Sequence, residues 1–135
     1  MMERRFRRDV QALEGIFEFV TEFAATEGVP LEPRYAVDLI VEELFTNMVK
    51  YSVLGSEDIA IALERQGGSL IIVLQDFGVD KFDVTADRSL GNGAPVGEPV
   101  AGGRGLGLVR QYADEIRYDY RDRVSTITVT KRLNP

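Results

Sequence analysis

The chain has 135 residues, 44% of them hydrophobic and 28% charged, the balance of a soluble globular domain large enough to bury a core. Its net charge of -6 argues against a phosphate-backbone binder. It contains neither cysteine nor histidine. That excludes disulfides, thiol nucleophiles, Ser-His triads, His-ligated zinc and a phosphohistidine within this chain. Any chemistry has to come from carboxylates, amides, hydroxyls, cations and backbone groups. No apolar run approaches membrane-spanning length, and the Arg-rich start does not read as a signal peptide. The expectation is a cytoplasmic protein with no membrane partner and no direct nucleic-acid partner.

Arg4, Arg5, Arg7 and Arg8 crowd the start, interleaved with Glu3 and Asp9. A basic cluster can bind nucleic acid or anionic lipid, but against the acidic total it reads as a solvated arm or short edge strand. Asp9 suits an N-cap. Val10, Leu13, Phe17, Val20 and Ala24 then recur at helical spacing, and Gly28 with Pro30 stop a structural first helix.

Pro33 fits the first turn of a second helix that runs to about Tyr51. Val37, Ile40, Val41, Leu44 and Met48 make its apolar stripe, and Tyr51 falls near the stripe's centre, as a core residue would. At about 100° per residue from Leu44, Asn47 sits at the stripe's edge, Glu43 just beyond it, and Glu42 on the opposite side facing water. Glu43 and Asn47, at i and i+4, therefore share a flank. A carboxylate can take a proton or orient a water, and a carboxamide oxygen suits a hard cation such as magnesium. Taken alone, the two also read as ordinary boundary residues.

After Gly55 the period changes to two. Ile59, Ile61 and Leu63 mark one buried face of a strand. Gln66-Gly67-Gly68 turns the chain, and Ser69 to Gln75, apolar on both faces, suits a central strand. Asp76 closes this strand and Gly78 follows. A carboxylate beside a residue that lets backbone come close is a frequent ligand-site arrangement, and equally a simple Asp-x-Gly turn. From Val79 to Gly102 neither helix nor strand period exists, as in a lid or binding loop. Neither flank could fold alone, so residues 1–135 read as one domain.

Gly103-Arg104-Gly105-Leu106-Gly107 opens a helix with Leu108, Val109 and Tyr112 as apolar positions. Glycines at a helix start let backbone N–H groups reach an anion, and Arg104 adds a cation there. The segment is neither a Walker A loop nor a dinucleotide fingerprint, and its spacing also suits a lid hinge. The chain closes with a hairpin. Ile116, Tyr118 and Tyr120 alternate, Asp122-Arg123 turn, and Ser125 shares a face with Ile127 and Val129.

In order along the chain, Glu43-Leu44-Phe45-Thr46-Asn47 resembles the N box of the GHKL ATPases, the group of gyrase, heat-shock chaperone ATPases, mismatch-repair ATPases and histidine kinases. Asp76-Phe77-Gly78 resembles the start of that family's first glycine box, and Gly103-Arg104-Gly105-Leu106-Gly107 its second. A lid at about 79–104 stands between them. Length points to the single-domain serine kinases that act as anti-sigma factors. The resemblance implies an α+β fold, a two-layer sandwich of Bergerat type, with a mixed sheet covered on one face by three helices. It implies ATP and Mg2+ as cofactors, Glu43 as general base and Asn47 as magnesium ligand. Asp76 would accept the adenine amino group and Gly78 would allow close approach. Gly103, Arg104, Gly105, Leu106 and Gly107 would surround the phosphates, and Ser125 would be an adenine-side hydroxyl. The implied activity is phosphorylation of an anti-anti-sigma (STAS-type) partner by a kinase that also holds a sigma factor, as a homodimer. A non-catalytic ATP-gated binding module and a split histidine-kinase catalytic domain are the alternatives. Two positions depart from the family pattern. Asp80-Lys81 stands at the lid entrance where a glycine is usual, and Tyr51 stands where a histidine is common.

Overall fold

A computed structural model describes residues 1–51, 57–80, 107 and 109–133. The arginine-rich start forms the edge strand β1 (Met2–Phe6). Asp9 caps a short 3-10 turn over Val10–Ala12, its carboxylate accepting from the Gln11 amide, and α1 (Leu13–Glu27) continues from it. Gly28 ends α1 in the left-handed conformation, φ 68°, its N–H bonded to the Ala24 carbonyl, the conformation that glycine adopts without steric cost. Helix α2 spans Leu31–Tyr51. Strands β2 (Ile59–Gln66) and β3 (Ser69–Phe77) follow, then β4 (Glu115–Arg121) and β5 (Val124–Arg132). A helical stretch at 109–112 precedes β4.

The first helix shows how local geometry overrides a simple count. Val20 and Ala24 are buried as their spacing implies, but Val10 is exposed, and Ile16, Phe19 and Phe23 carry the buried face. The 3-10 turn advances about three residues per turn instead of 3.6, so Val10, which lies in it, falls out of phase with α1. In α2 the whole expected stripe is buried, with Phe45 added to it.

The five strands lie in the order β1-β2-β3-β5-β4. β3, apolar on both faces in the sequence, is the central strand. All four pairings are antiparallel, so where the family resemblance implied a mixed sheet, the described strands form an antiparallel one. The reason lies in the last hairpin. Asp122 and Arg123, both at positive φ (50° and 63°), turn β5 back between β3 and β4, so the parallel pair β3/β4 is never made. Ile59, Ile61, Leu63, Leu70, Ile72, Leu74, Ile127 and Val129 face one way and share a core with α1, α2 and Val109. The fold is therefore α+β, two layers with the helices on one face. Among the described residues, no helix is long and apolar enough to cross a membrane.

Gly103, Arg104, Gly105, Leu106, Leu108, the loop from Lys81 to Gly102, and the side chain of Tyr51 lie outside what is described.

Candidate functional site

The strand register sets the floor of the site. Phe6, Ile59, Asp76, Ser125 and Tyr120 are consecutive partners across the sheet. Four of them line up on the helix-covered side as buried groups, with Tyr120 half-buried at the end of the row. Asp76 and Ser125 are the polar members of the buried part, 0% and 6% exposed. The two residues assigned to one end of the site thus come from strands adjacent in space and 49 positions apart in sequence, and β pairing alone brings them together. The Tyr118 hydroxyl lies 3.4 Å from Ser125 Oγ.

Asp76 does not sit there alone. Both its carboxylate oxygens are engaged by the Arg8 guanidinium, Nη2 to Oδ1 and Nη1 to Oδ2. Arg8 also donates to the Met48 carbonyl at 3.3 Å and the Glu57 carbonyl at 3.2 Å. One guanidinium therefore spans from the end of β3 to α2. This places Asp76 beside the turn of α2 that carries Asn47, the neighbour of Met48.

Asn47 is 4% exposed, and its amide nitrogen is buried without a hydrogen-bond partner. A buried polar atom left unpaired is costly in a finished core, and a carboxamide with an unpaired end fits a cation-ligand role once the amide is turned to present its oxygen there. Glu43 is half-buried one turn earlier on the same flank. Among the described residues no three His, Cys, Asp or Glu side chains gather into a metal cluster. A magnesium ion here would rest on Asn47 and on phosphate oxygens.

Gly78 has φ 68°, and a Cβ built on it would lie 3.2 Å from Glu57 Oε2. Left-handed backbone costs a side-chain-bearing residue roughly 1–2 kcal/mol. Gly78→Ala is accordingly expected to destabilise the fold by about that amount, read from the midpoint of urea unfolding at unchanged slope. The segment after it, Val79 and Asp80, is fastened to the β4–β5 turn. Arg123 donates to Asp80 Oδ1 at 2.8 Å and to the Gly78 carbonyl at 3.1 Å, the Val79 amide donates to the Arg123 carbonyl, and the Tyr120 hydroxyl donates to the Val79 carbonyl at 2.7 Å. Asp80, which departs from the family pattern, thus has a partner of its own. Gly107 is exposed, and a Cβ there would meet nothing within 4 Å. Tyr112, expected as an apolar position, is 37% exposed, while Val109 is fully buried.

Sequence reasoning passed over Arg8, Arg123 and Asp38. Arginine in a basic run carries no periodic signal that distinguishes it from its neighbours. Asp38 lies on α2 on the flank away from Asn47, with Oδ1 buried and unpaired. Burial pushes its carboxyl above the ordinary 3.8; Arg34 opposes this and Glu42 adds to it. Glu42, expected to face water, is half-buried and lies one turn along α2 from Asp38 on that flank. The folded state holds the Asp38 proton more tightly than the unfolded chain, so this group adds stability as pH falls through the range just above 3.8, and at neutral pH its charged form bears a burial cost that Arg34 offsets only in part. Asp38→Asn is expected to raise the melting temperature at pH 7.5 and to flatten the pH dependence of stability in that acidic range. Calorimetric scans across pH check both.

With this geometry in place, the comparisons are specific. Residues 6–131 match the model of the histidine kinase-like ATPase domain, and the chain belongs to that family. No curated protein matches it by sequence. Among solved structures, it is similar to the RsbU and RsbW domains of Rv1364c from Mycobacterium tuberculosis, with TM-score 0.69 and 18% identity over 98% of this chain and 32% of that one. It is similar to the SiaB-SiaC complex from Pseudomonas aeruginosa, with TM-score 0.64 and 14% identity over 97% of this chain and 88% of that one. It also resembles the Acinetobacter baumannii histidine kinase AdeS, with TM-score 0.56 and 15% identity over 100% of this chain and 69% of that one. The chain spans about a third of the length of the Rv1364c chain. These likenesses establish the fold, and the family makes this an ATP-binding, kinase-like domain.

Proposed function

We propose that this protein is an ATP- and magnesium-dependent serine kinase that phosphorylates an anti-anti-sigma (STAS-type) partner and sequesters a sigma factor, as a homodimer in the cytoplasm. The observation that carries the reading is the union of Asp76, Ser125 and the Asn47 flank of α2 at one end of the sheet. A buried carboxylate and hydroxyl there would take the base edge, while the Asn47 carboxamide on α2, its nitrogen unpaired, would take a metal. Likeness to RsbW and SiaB domains supports a partner of the anti-anti-sigma kind.

In this reading Asp76 accepts from the exocyclic amino group of adenine, Ser125 hydrogen-bonds on the same side, and Gly78 keeps the backbone close. Gly103, Arg104, Gly105, Leu106 and Gly107 would hold the phosphates. Asn47 would hold the magnesium ion, whose chemistry is to neutralise charge on the phosphate oxygens. Glu43 accepts the proton of the partner's serine hydroxyl as its oxygen bonds to the γ-phosphorus and the bond to ADP breaks.

The test is incubation with γ-labelled ATP and a STAS-type partner. Label on a partner serine is the expected result. Tight ATP binding with no transfer would favour the second reading, an ATP-gated binding module, to which Tyr51 in place of the common histidine lends weight. Absence of ATP binding would remove both.

A further inference from the structure

Arg8 belongs to the basic run that reads as a solvated arm, yet its side chain is only 11% exposed. A guanidinium has five N–H groups. Those on its two terminal nitrogens meet both oxygens of Asp76 and the carbonyls of Met48 and Glu57, while Nε is buried without a partner. Asp76 in turn is 0% exposed. Arg8 meets both oxygens of a carboxylate that is shut off from solvent.

The purine amino group and the guanidinium are chemically alike at this point, since both are flat and both present N–H donors to a carboxylate. The guanidinium adds a positive charge, which makes it the stronger partner of the two. We propose that Arg8 is an internal competitor for the base-recognition carboxylate. With the arm docked, the base end of the site is closed; a purine nucleotide gains Asp76 only as Arg8 leaves it. Arg8 thereby sets nucleotide affinity and couples occupancy of the site to the conformation of the link between β1 and the 3-10 turn. This inference rests on the reading of Asp76 as the base acceptor.

The chain allows the exchange. The β1–β2 ladder ends at the Phe6–Ile59 pair, and Arg8 lies beyond it in the short link to the 3-10 turn. Its side chain can swing out without breaking a strand pairing. The ties to undo are its own bonds to the Met48 and Glu57 carbonyls, with the amide of Asp9 on the Arg7 carbonyl, at 2.8 Å, the backbone bond across the same link. β1 itself can stay paired.

The experiment compares Mg-ATP affinity of the unmodified protein and Arg8→Ala by calorimetric titration. Binding about 10- to 100-fold tighter in Arg8→Ala is expected, the factor of one charge-assisted contact that no longer has to be broken. Equal or weaker binding in the variant, beside measurable binding by the unmodified protein, overturns the competitor role and leaves the nucleotide reading standing. If neither protein binds Mg-ATP, the nucleotide reading falls and the competitor role with it. Should Arg8→Ala fail to fold, amide hydrogen exchange of the unmodified protein decides. Exchange at residues 7–9 is expected to accelerate on saturation with Mg-ATP, and unchanged or slower exchange there overturns the proposal.

Discussion

Glu43→Gln is expected to bind Mg-ATP as the unmodified protein does and to transfer phosphate to a partner serine roughly 100- to 10,000-fold more slowly, the range that a positioned general base supplies. The substitution keeps the shape and half-burial of the side chain and removes only its ability to take a proton. Asn47→Ala separates binding from chemistry in the other direction. It removes a buried carboxamide whose nitrogen is unpaired, so the fold loses little hydrogen bonding. Magnesium-dependent ATP affinity is expected to fall about 10- to 100-fold. Glu42→Gln is the comparison on the same helix. Its neighbour is Asp38 on the far flank, and it should change neither affinity nor transfer. ATP titrations with and without magnesium, beside a transfer assay, read all three. A Glu42 variant dead in transfer next to an active Glu43 variant would move the site to the other side of α2.

Asp76→Ala is expected to destabilise the fold by about 3–5 kcal/mol, the loss typical when one member of a buried ion pair is removed, out of a total of about 5–15 kcal/mol. Arg8 would keep the carbonyls of Met48 and Glu57 but no counter-charge. Replacing both partners with apolar residues, as in Arg8→Met with Asp76→Leu, is expected to recover most of that stability, since no charge is then left stranded. The double-mutant cycle, read by urea unfolding, measures the coupling directly. A coupling below about 1 kcal/mol would mean that water reaches the pair as it does at a surface. On the proposed reading of Asp76 as base acceptor, a base that takes it has to replace this coupling with its own contacts.

Much of the architecture was legible because it is periodic. The stripe Val37, Ile40, Val41, Leu44 and Met48 announces α2 and its buried face, and the alternation from Ile59 to Leu63 announces β2. Ser125 could be placed inward from its parity with Ile127 and Val129, and Asn47 at the edge of the α2 stripe from angle alone. The order of the polar segments carried the family. Each of these follows from neighbours a few residues apart, whose spacing the backbone geometry of a helix or strand dictates.

Other features were set only in three dimensions. Arg8 and Asp76 are 68 positions apart, and no local pattern tells Arg8 from Arg4, Arg5 or Arg7; the end of the β1–β2 ladder at Phe6 and Ile59 aims it inward. The insertion of β5 between β3 and β4 made the sheet antiparallel, a choice that depends on which strand edge is free after the turn at Asp122 and Arg123. The 3-10 turn after Asp9 carried Val10 off the stripe, and packing in three dimensions buried Ile16, Phe19 and Phe23 beside Val20 and Ala24. The sequence by itself determined the elements, the apolar faces of α2, β2 and β5, and the family, because hydrophobic burial is periodic along the chain. Tertiary structure alone decided which charge meets Asp76 and how Asp38 is desolvated, because electrostatic partners are chosen by proximity in space, to which sequence separation is blind.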